Sequence, residues 1–236
     1  PRMLTTLQHA AHRGAEIVVI NPLVERGLVS FTHPQDVLDT ALNRGTDLAT
    51  LYLRPKVGSD TALLKGMMKV LFEREVAYPG GILDHEFIQD ETHGFEELKT
   101  DIESTSWDDI VQETGVSREE IEAAAEIYIQ SKASIICWAM GITQHTNGVD
   151  NVQSIANLLL LKGNMGRPGA GACPVRGHSN VQGDRTVGIN HHPSTTFLDA
   201  CERETGIIMP RKSGFDSVEF VRAARDKKVR LFMALG

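Results

Sequence analysis

Short apolar runs alternate with longer helical segments along this chain, and this alternation limits the folds that it can adopt. One run, Ile17–Ile20, ends at Asn21-Pro22, and another, residues 134–140, ends at Gly141. A third apolar run covers residues 48–53. Because strands that alternate with helices form parallel sheets, the sequence predicts an α/β, Rossmann-like fold with a mostly parallel sheet and helices on both faces.

Capping signals and apolar spacing locate the helices. Ser59 or Asp60 is a natural N-cap for a helix that begins near Thr61, and Ser117 with Glu120 has the spacing of a capping box. We predict helices at residues 3–13, 61–72, 117–128, 150–161 and 215–226, short helices and loops at 80–115, and a last strand at 229–235.

The chain divides at its Gly-rich stretch. Residues 1–178 contain enough strands and helices for an α/β domain, and residues 179–236 are interpreted as a partial segment of a neighbouring α/β domain. The chain starts at Pro1 rather than at a methionine and stops directly after the apolar run at 229–235. We therefore expect it to be an interior piece of a longer protein.

Charge and cysteine content exclude several classes of function. The chain carries 24 Lys and Arg residues against 31 Asp and Glu residues, with no basic stripe, which argues against a nucleic-acid partner. The longest apolar runs, such as Leu158–Leu161, are too short to span a bilayer. The 3 cysteines include no C-x-x-C pair, so this stretch has no predicted iron–sulfur or metal site, and a reducing, cytoplasmic compartment is favoured.

Three loops follow predicted strands, at residues 21–26, 54–60 and 141–148. Ligands of doubly wound sheets bind beyond the carboxyl ends of the strands, so we expect these loops to share one crevice. In Gly58-Ser-Asp60, backbone amides at a helix start suit a phosphate, and the carboxylate suits a ribose or a guanine edge. Ordinary helix capping is the alternative explanation for the same residues.

A Gly-rich stretch at residues 163–188 has few residues that could build a core, and it is predicted to be a functional loop. Its glycines let the backbone approach a ligand closely, and Asn180 and Gln182 supply amide donors and acceptors. Arg176 could present a cation at a defined position. A solvent-exposed linker is the alternative, but it gives no reason for these side chains among the glycines.

Four segments of the chain resemble the DMSO-reductase superfamily of molybdenum and tungsten enzymes, and within it the formate-dehydrogenase-like alpha-subunit group. They are Gly141-Ile-Thr-Gln-His, the helix at 151–161, Gly163-Asn-Met-Gly-Arg-Pro-Gly, and Pro174-Val-Arg-Gly-His-Ser-Asn-Val-Gln-Gly. The resemblance implies a bis-molybdopterin guanine dinucleotide cofactor with molybdenum or tungsten, in a crevice between α/β domains. The metal ligand and any 4Fe-4S cluster would lie upstream of Pro1, so this chain alone is expected to be inactive.

The resemblance also assigns cofactor contacts to individual positions. Asn21 and Pro22 match the loop that meets a guanosine, where many relatives have Asp-Pro-Arg, and Asp60 matches a residue that holds the same nucleotide. The remaining positions expected to contact the cofactor are Gly58, Gly141, Gln144, Gly177, Asn180, Gln182 and Gly183.

Two residues are implied as catalytic. Arg176 matches an arginine that orients the substrate carboxylate in formate dehydrogenases, and His178, where those enzymes usually have Gln, is expected to assist proton movement. The predicted activity is two-electron oxidation or reduction of a small substrate, with a possible electron-transfer partner. A non-catalytic nucleotide-binding Rossmann-like module is the alternative. Cys173 is interpreted as a buried thiol and Trp138 as a core residue, while the role of His145 stays open.

Overall fold

The computed structural model describes residues 2–33, 35, 45–188 and 192–233, and the chain forms two compact units. The first unit is Pro1–Val175 and the second is Arg176–Gly236. The interpretation of residues 1–178 as a cofactor-binding domain and of residues 179–236 as part of a neighbouring one stays a prediction.

The first unit begins with short strands and continues with a group of helices. Its elements are α1 (Arg2–His12), β1 (Val18–Ile20), α2 (Arg26–Val29), β2 (Ser30–Phe31), β3 (Thr46–Asp47), β4 (Leu51–Leu53), α3 (Asp60–Ala77), α4 (His85–Glu91), α5 (Phe95–Ser104), α6 (Trp107–Thr114), α7 (Arg118–Gln130), β5 (Ile135–Trp138), α8 (Met140–Thr143), α9 (Gly148–Leu161) and β6 (Gly171–Pro174).

The strands pair as two parallel ladders and one antiparallel ladder among the described residues. β1 pairs with β4 and β5 pairs with β6, both in parallel, whereas β2 and β3 are antiparallel. The predicted α/β class with parallel strands is confirmed. In the described part of the chain each ladder has two strands, so the parallel pairs stand as separate ladders.

The core of the first unit surrounds α3. This 18-residue helix buries apolar side chains on several faces, including Leu63, Met68, Val70 and Leu71. Apart from a narrow polar stripe this helix is apolar, as is typical of a central helix, and helices α5, α6, α7 and α9 pack against it. A Cβ at Gly66 would lie 3.1 Å from the Cγ2 atoms of Ile110 and Ile121, so this glycine lets α6 and α7 approach the α3 backbone.

Local capping follows the sequence at α7 and differs at α3. The capping box of Ser117 and Glu120 is present in both directions, as predicted. Ser59 does occupy the N-cap position of α3, but its hydroxyl makes no capping bond. Instead Ser59 Oγ donates to the carbonyl of Lys56 at 2.7 Å, which stabilises the preceding turn. Asp60 is the first residue of the helix.

Two secondary-structure predictions in the C-terminal third are wrong. The Gly-rich stretch at 163–188 contains strand β6 and helix α10 (Val181–Thr186), because Gly171–Pro174 finds a parallel partner in β5. The last predicted strand is not formed at residues 229–233, where no described strand pairs with it, and residues 234–235 lie outside the described residues. The backbone N–H and C=O groups of a strand need hydrogen-bond partners, so an apolar run forms a strand only where a second strand pairs with it.

The second unit also contains α11 (Thr195–Thr205) and α12 (Ser217–Arg225). Asp216 and Glu219 form a capping box at the start of α12, and the rings of Phe220 and Phe232 lie 4.9 Å apart. Among its described residues only Ala223 is buried. This unit therefore has little core of its own.

Candidate functional site

Two of the three predicted loops leave the same edge of one parallel ladder. Ile20 and Leu53 are register partners at the ends of β1 and β4, and the Asn21 amide donates to the Leu53 carbonyl at 3.0 Å. The loops that follow these strands therefore begin side by side, as expected for a ligand crevice of a parallel α/β fold.

The loop after β1 is held in shape by its own side chains. Asn21 Oδ1 accepts from the Leu23 amide at 3.2 Å, and Asn21 Nδ2 donates to Glu25 Oε1 at 3.0 Å. Tyr52 Oη donates to the Leu23 carbonyl at 2.6 Å and accepts from the Glu25 amide at 3.1 Å. Pro22 is exposed, and Leu23 is 71% exposed. The loop thus presents an apolar surface while its polar side chains make internal bonds.

The loop after β4 brings a glycine and a half-buried carboxylate together. Gly58 has φ +89°, a left-handed conformation in which a side chain is strained, and a Cβ there would lie 3.9 Å from His145 Nδ1. Burial raises the pKa of Asp60, although its own backbone amide and the nearby His145 act in the opposite direction. The Asp60 carboxylate has no hydrogen-bond donor among the described side chains. It is thus available to a ligand.

The third loop contains Gly141, Gln144 and His145. A Cβ built on Gly141 would have no heavy atom within 4 Å. Gln144 is exposed, and its backbone N–H donates to the Met140 carbonyl. His145 Nε2 lies 2.7 Å from the Gly141 carbonyl. Because a carbonyl only accepts, Nε2 carries the proton, and Nδ1 is the ring nitrogen that faces Gly58. The His145 ring therefore contacts its own loop through Gly141 and faces Gly58 of the second loop.

Asn151 joins these two loops, and the sequence reasoning missed it. Its side chain is fully buried; Oδ1 accepts from Thr61 Oγ1 at 2.7 Å, and Nδ2 donates to the Ile142 carbonyl at 2.9 Å. Asn147 Nδ2 is a further donor to the same Oδ1, at 3.3 Å. Thus one amide ties the N-terminus of α3 to the loop before α9. The available signal was an amide residue in the first turn of a mostly apolar helix.

The first half of the Gly-rich motif has a structural role in this unit. Asn164 is fully buried; its Nδ2 donates to Tyr128 Oη at 2.9 Å, and its Oδ1 accepts from Arg167 Nη2 at 2.6 Å and from the Ser134 amide at 3.3 Å. Burial raises the pKa of Tyr128 to about 12, which keeps its hydroxyl protonated in this network. The polar side chains of this segment, Asn164 and Arg167, thus make hydrogen bonds within the first unit.

The second half of the motif lies in the other unit and is open. Arg176, Gly177, His178, Asn180 and Gln182 are exposed, and neither Arg176 nor His178 has a hydrogen-bond or ion-pair partner among the described residues. Asn180 Nδ2 donates to Asp184 Oδ1 at 3.4 Å. A Cβ at Gly183 would lie 2.6 Å from Asn180 Oδ1, so glycine makes room for that side chain.

In the β5–β6 ladder, the side chains of β5 alternate between exposed and partly buried positions. Ile136 and Trp138 pack against the core, so the prediction for Trp138 is confirmed. Cys137 and Cys173 are register partners, and both are exposed. The interpretation of Cys173 as a buried thiol is wrong, because β6 is exposed from Ala172 to Pro174.

In the residues that the structure describes, no group of 3 or more His, Cys, Asp or Glu side chains is arranged to hold a metal ion. Within the same residues, no helix combines the length and the apolar character needed to cross a membrane.

Comparisons with known proteins agree on one family. The family model for molybdopterin oxidoreductases matches residues 3–234. Protein YdeP of Escherichia coli K12 is 46% identical over 240 residues, covering 100% of this chain and 32% of that protein. An uncharacterized oxidoreductase of Mycobacterium tuberculosis H37Rv is 41% identical over 236 residues, covering 100% of this chain and 30% of that protein.

A relative with a named substrate is more distant. Formate dehydrogenase H of Escherichia coli K12 is 34% identical over 198 residues, covering 80% of this chain and 27% of that protein. Among solved structures, acetylene hydratase from Pelobacter acetylenicus shares the fold, with a TM-score of 0.56 at 24% identity, over 71% of this chain and 20% of that one. The chain spans about a third of the length of the curated relatives that it matches.

Proposed function

The chain belongs to the molybdopterin oxidoreductase family, and on that premise we propose that it is the cofactor-holding part of a formate-dehydrogenase-like enzyme. The cofactor is bis-molybdopterin guanine dinucleotide with molybdenum or tungsten. When bound, it supplies the metal centre that exchanges two electrons with a small substrate. The residues of this chain bind and orient the cofactor and the substrate.

The observation that carries this proposal is the pair of loops at the carboxyl edge of β1 and β4. The second loop offers Gly58, where no side chain limits the approach of a ligand, and Asp60, whose carboxylate lacks a donor among the described side chains. A guanine edge presents N–H donors that pair with a carboxylate, and the start of the 18-residue helix α3 favours a phosphate. The residues present therefore fit one nucleotide end of the cofactor.

The other loops supply further contacts in this proposal. Asn21 and Pro22 border the same nucleotide, with the exposed Leu23 beside them, and Gly141 and Gln144 approach the dinucleotide from the loop before α9. In the second unit, Gly177, Asn180, Gln182 and Gly183 belong to a segment that leads into the first turn of α10. Its backbone and amide groups are suited to polar contacts with a pterin.

Arg176 and His178 are proposed to act on the substrate. The Arg176 guanidinium is exposed and has no carboxylate partner among the described residues, so it can pair with a carboxylate or another small anion through two parallel hydrogen bonds. His178, exposed two residues later, is proposed to accept or release the proton that accompanies electron transfer. Electrons then pass to a separate partner, and the three free cysteines favour a cytoplasmic location.

A nucleotide-binding module without catalysis is the second candidate. Gly58 and Asp60 alone would support it equally well, since a single nucleotide uses the same contacts. Two observations favour the enzyme. The chain belongs to an oxidoreductase family, and a nucleotide-binding module gives no role to Arg176, which has no partner among the described residues.

The test is the metal and nucleotide content of the full-length protein, purified without oxygen from a host able to make the cofactor. We expect molybdenum or tungsten, together with guanine nucleotide released by acid extraction. Asp60→Ala should lower the nucleotide content, whereas Asp108→Ala should not. Asp108 is a matched control because it is an exposed acid in the first turn of α6. A folded wild-type protein that contains neither metal nor guanine nucleotide would refute the proposal.

A further inference from the structure

Cys137 and Cys173 face each other across two strands that are distant in sequence. They are register partners in the parallel pair of β5 and β6, and both are free and exposed. Neighbouring strands lie about 4.8 Å apart, which falls within the Cα–Cα distances of about 4.4–6.8 Å that a disulfide spans. The register therefore places the two Cα atoms at a separation that a disulfide can span.

The Cys173 thiol also affects the titration of Cys137. Partial burial, and then the neighbouring Cys173 thiol, raise the pKa of the Cys137 thiol to about 11. Cys137 thus remains protonated at neutral pH, and in the proposal below the exposed Cys173 reacts first. The ladder around them is well formed, since the Val175 amide donates to the Trp138 carbonyl at 2.7 Å directly after the cysteine positions.

We propose that Cys137 and Cys173 form a cross-strand dithiol that is a site of reversible covalent modification, converted to an intramolecular disulfide by small disulfides such as glutathione disulfide. The register of the two strands and the exposure of both sulfurs carry this assignment. It is independent of the cofactor, because neither cysteine belongs to the loops proposed to bind the dinucleotide.

The reaction is a balanced thiol–disulfide exchange. The Cys173 thiolate attacks one sulfur of glutathione disulfide, forming a mixed disulfide and releasing one glutathione thiolate. Cys137 then loses its proton to solvent and attacks the Cys173 sulfur, which releases the second glutathione. The two protein thiols are oxidised to one disulfide, and one glutathione disulfide is reduced to two glutathione molecules.

The disulfide would join the two strands that precede the segments carrying Gly141 and Arg176. β5 continues into α8 (Met140–Thr143), which carries Gly141, and β6 ends two residues before Arg176. The modification would thus join the strands just before both segments begin, without using any residue of either segment.

The test is peptide mapping of the full-length protein without prior reduction. The folded protein is incubated with glutathione disulfide, its remaining thiols are alkylated, and the digest is analysed by mass spectrometry. We expect a linked peptide pair that contains Cys137 and Cys173 and that separates on treatment with dithiothreitol. Glutathione on either cysteine without the linked pair, or full alkylation of both, would overturn the proposal.

A second reagent tests the proximity without forming a disulfide. Phenylarsine oxide bridges two neighbouring thiols with loss of water, so it should protect both cysteines from alkylation in the wild-type protein. Cys137→Ser should remove this protection at Cys173 and leave a stable glutathione adduct there, while Cys201→Ser should change neither result. Cys201 is a suitable control because it lies on α11, in the other unit. Unchanged protection in Cys137→Ser would exclude the pairing.

Discussion

Thr61 Oγ1 donates a hydrogen bond of 2.7 Å to Asn151 Oδ1, and this bond joins residues 90 positions apart in the chain. The same amide donates to the Ile142 carbonyl, so one fully buried side chain fixes two of the proposed cofactor loops. The loops are thereby held in position by the protein core.

Asn151→Ala should destabilise these loops. Removing the amide leaves Thr61 Oγ1 and the Ile142 carbonyl without their partner, and a buried polar group that loses its bond costs about 1–3 kcal/mol. We expect faster hydrogen exchange in peptides covering residues 141–148 and a lower Tm of the full-length protein. Asn157→Ala, on the same helix but only half-buried, is the control and should leave both nearly unchanged. Equal effects of the two variants would contradict the role of Asn151.

Gly58→Ala should lower the stability of the protein, although there is room for the methyl group. The nearest atom to a built Cβ is 3.9 Å away, so the penalty comes from the backbone angle φ of +89°. A left-handed residue with a side chain costs about 1–2 kcal/mol, and the loop is expected to lose guanine nucleotide as well as stability. Gly214→Ala, with open space and no positive φ, is the control for denaturation and nucleotide content. Equal stability of the two variants would show that the turn can relax.

Glu75 should make the first unit acid-sensitive. Burial alone would raise its pKa, but hydrogen bonds from His85 and from the amides of Leu83, Gly80 and Ile82 outweigh it and lower the pKa to about 2. A carboxylate with a depressed folded pKa stabilises the protein above its unfolded value of 4.5, and this contribution is lost as the pH falls towards 2. Wild type and Glu75→Gln should therefore differ in unfolding free energy at pH 7 and converge on acidification.

The control for Glu75 is Glu86→Gln, an exposed acid in the first turn of α4. Its stability should follow that of the wild type across the same pH range. A Glu75→Gln difference that stays constant between pH 7 and pH 2 would show that ionisation of Glu75 does not contribute.

Arg176→Ala should lower turnover if this arginine pairs with the substrate. Loss of a paired guanidinium is expected to lower kcat/KM by at least about tenfold, which corresponds to about 1.4 kcal/mol. Dye reduction by the metal-loaded, full-length enzyme with a panel of small carboxylates, including formate, measures this. Arg185→Ala, an exposed arginine on α10, is the control. Unchanged turnover in Arg176→Ala would remove the positioning role while leaving cofactor binding intact.

Features that depend on neighbours in sequence could be predicted. The capping box joins Ser117 to Glu120, three positions later, and forms as expected, and the apolar runs at 17–20 and 48–53 contain strands β1 and β4. Helix α9 and the core position of Trp138 also agree with their apolar patterns. These patterns act locally, so the sequence alone carries them.

Features that depend on distant partners could not be predicted. The Gly-rich stretch was expected to be one functional loop, but Asn164 turns inward to Tyr128, 36 residues away. The site residues Arg176, His178, Asn180 and Gln182 were chosen by resemblance, and their contacts with a cofactor stay predictions. No local pattern distinguishes an amide that binds the protein from one that is open to a ligand.

The sequence by itself determined the α/β class, the helices with their capping signals, and the family to which the motifs belong. Only the tertiary structure decided that Asn151 and Asn164 are buried connectors, that Cys137 lies beside Cys173, and that Asp60 keeps an available carboxylate. The physical reason is that helix and strand periodicity is fixed by side chains a few residues apart. Burial and hydrogen-bond partnership, in contrast, are set by segments that meet only when the chain has folded.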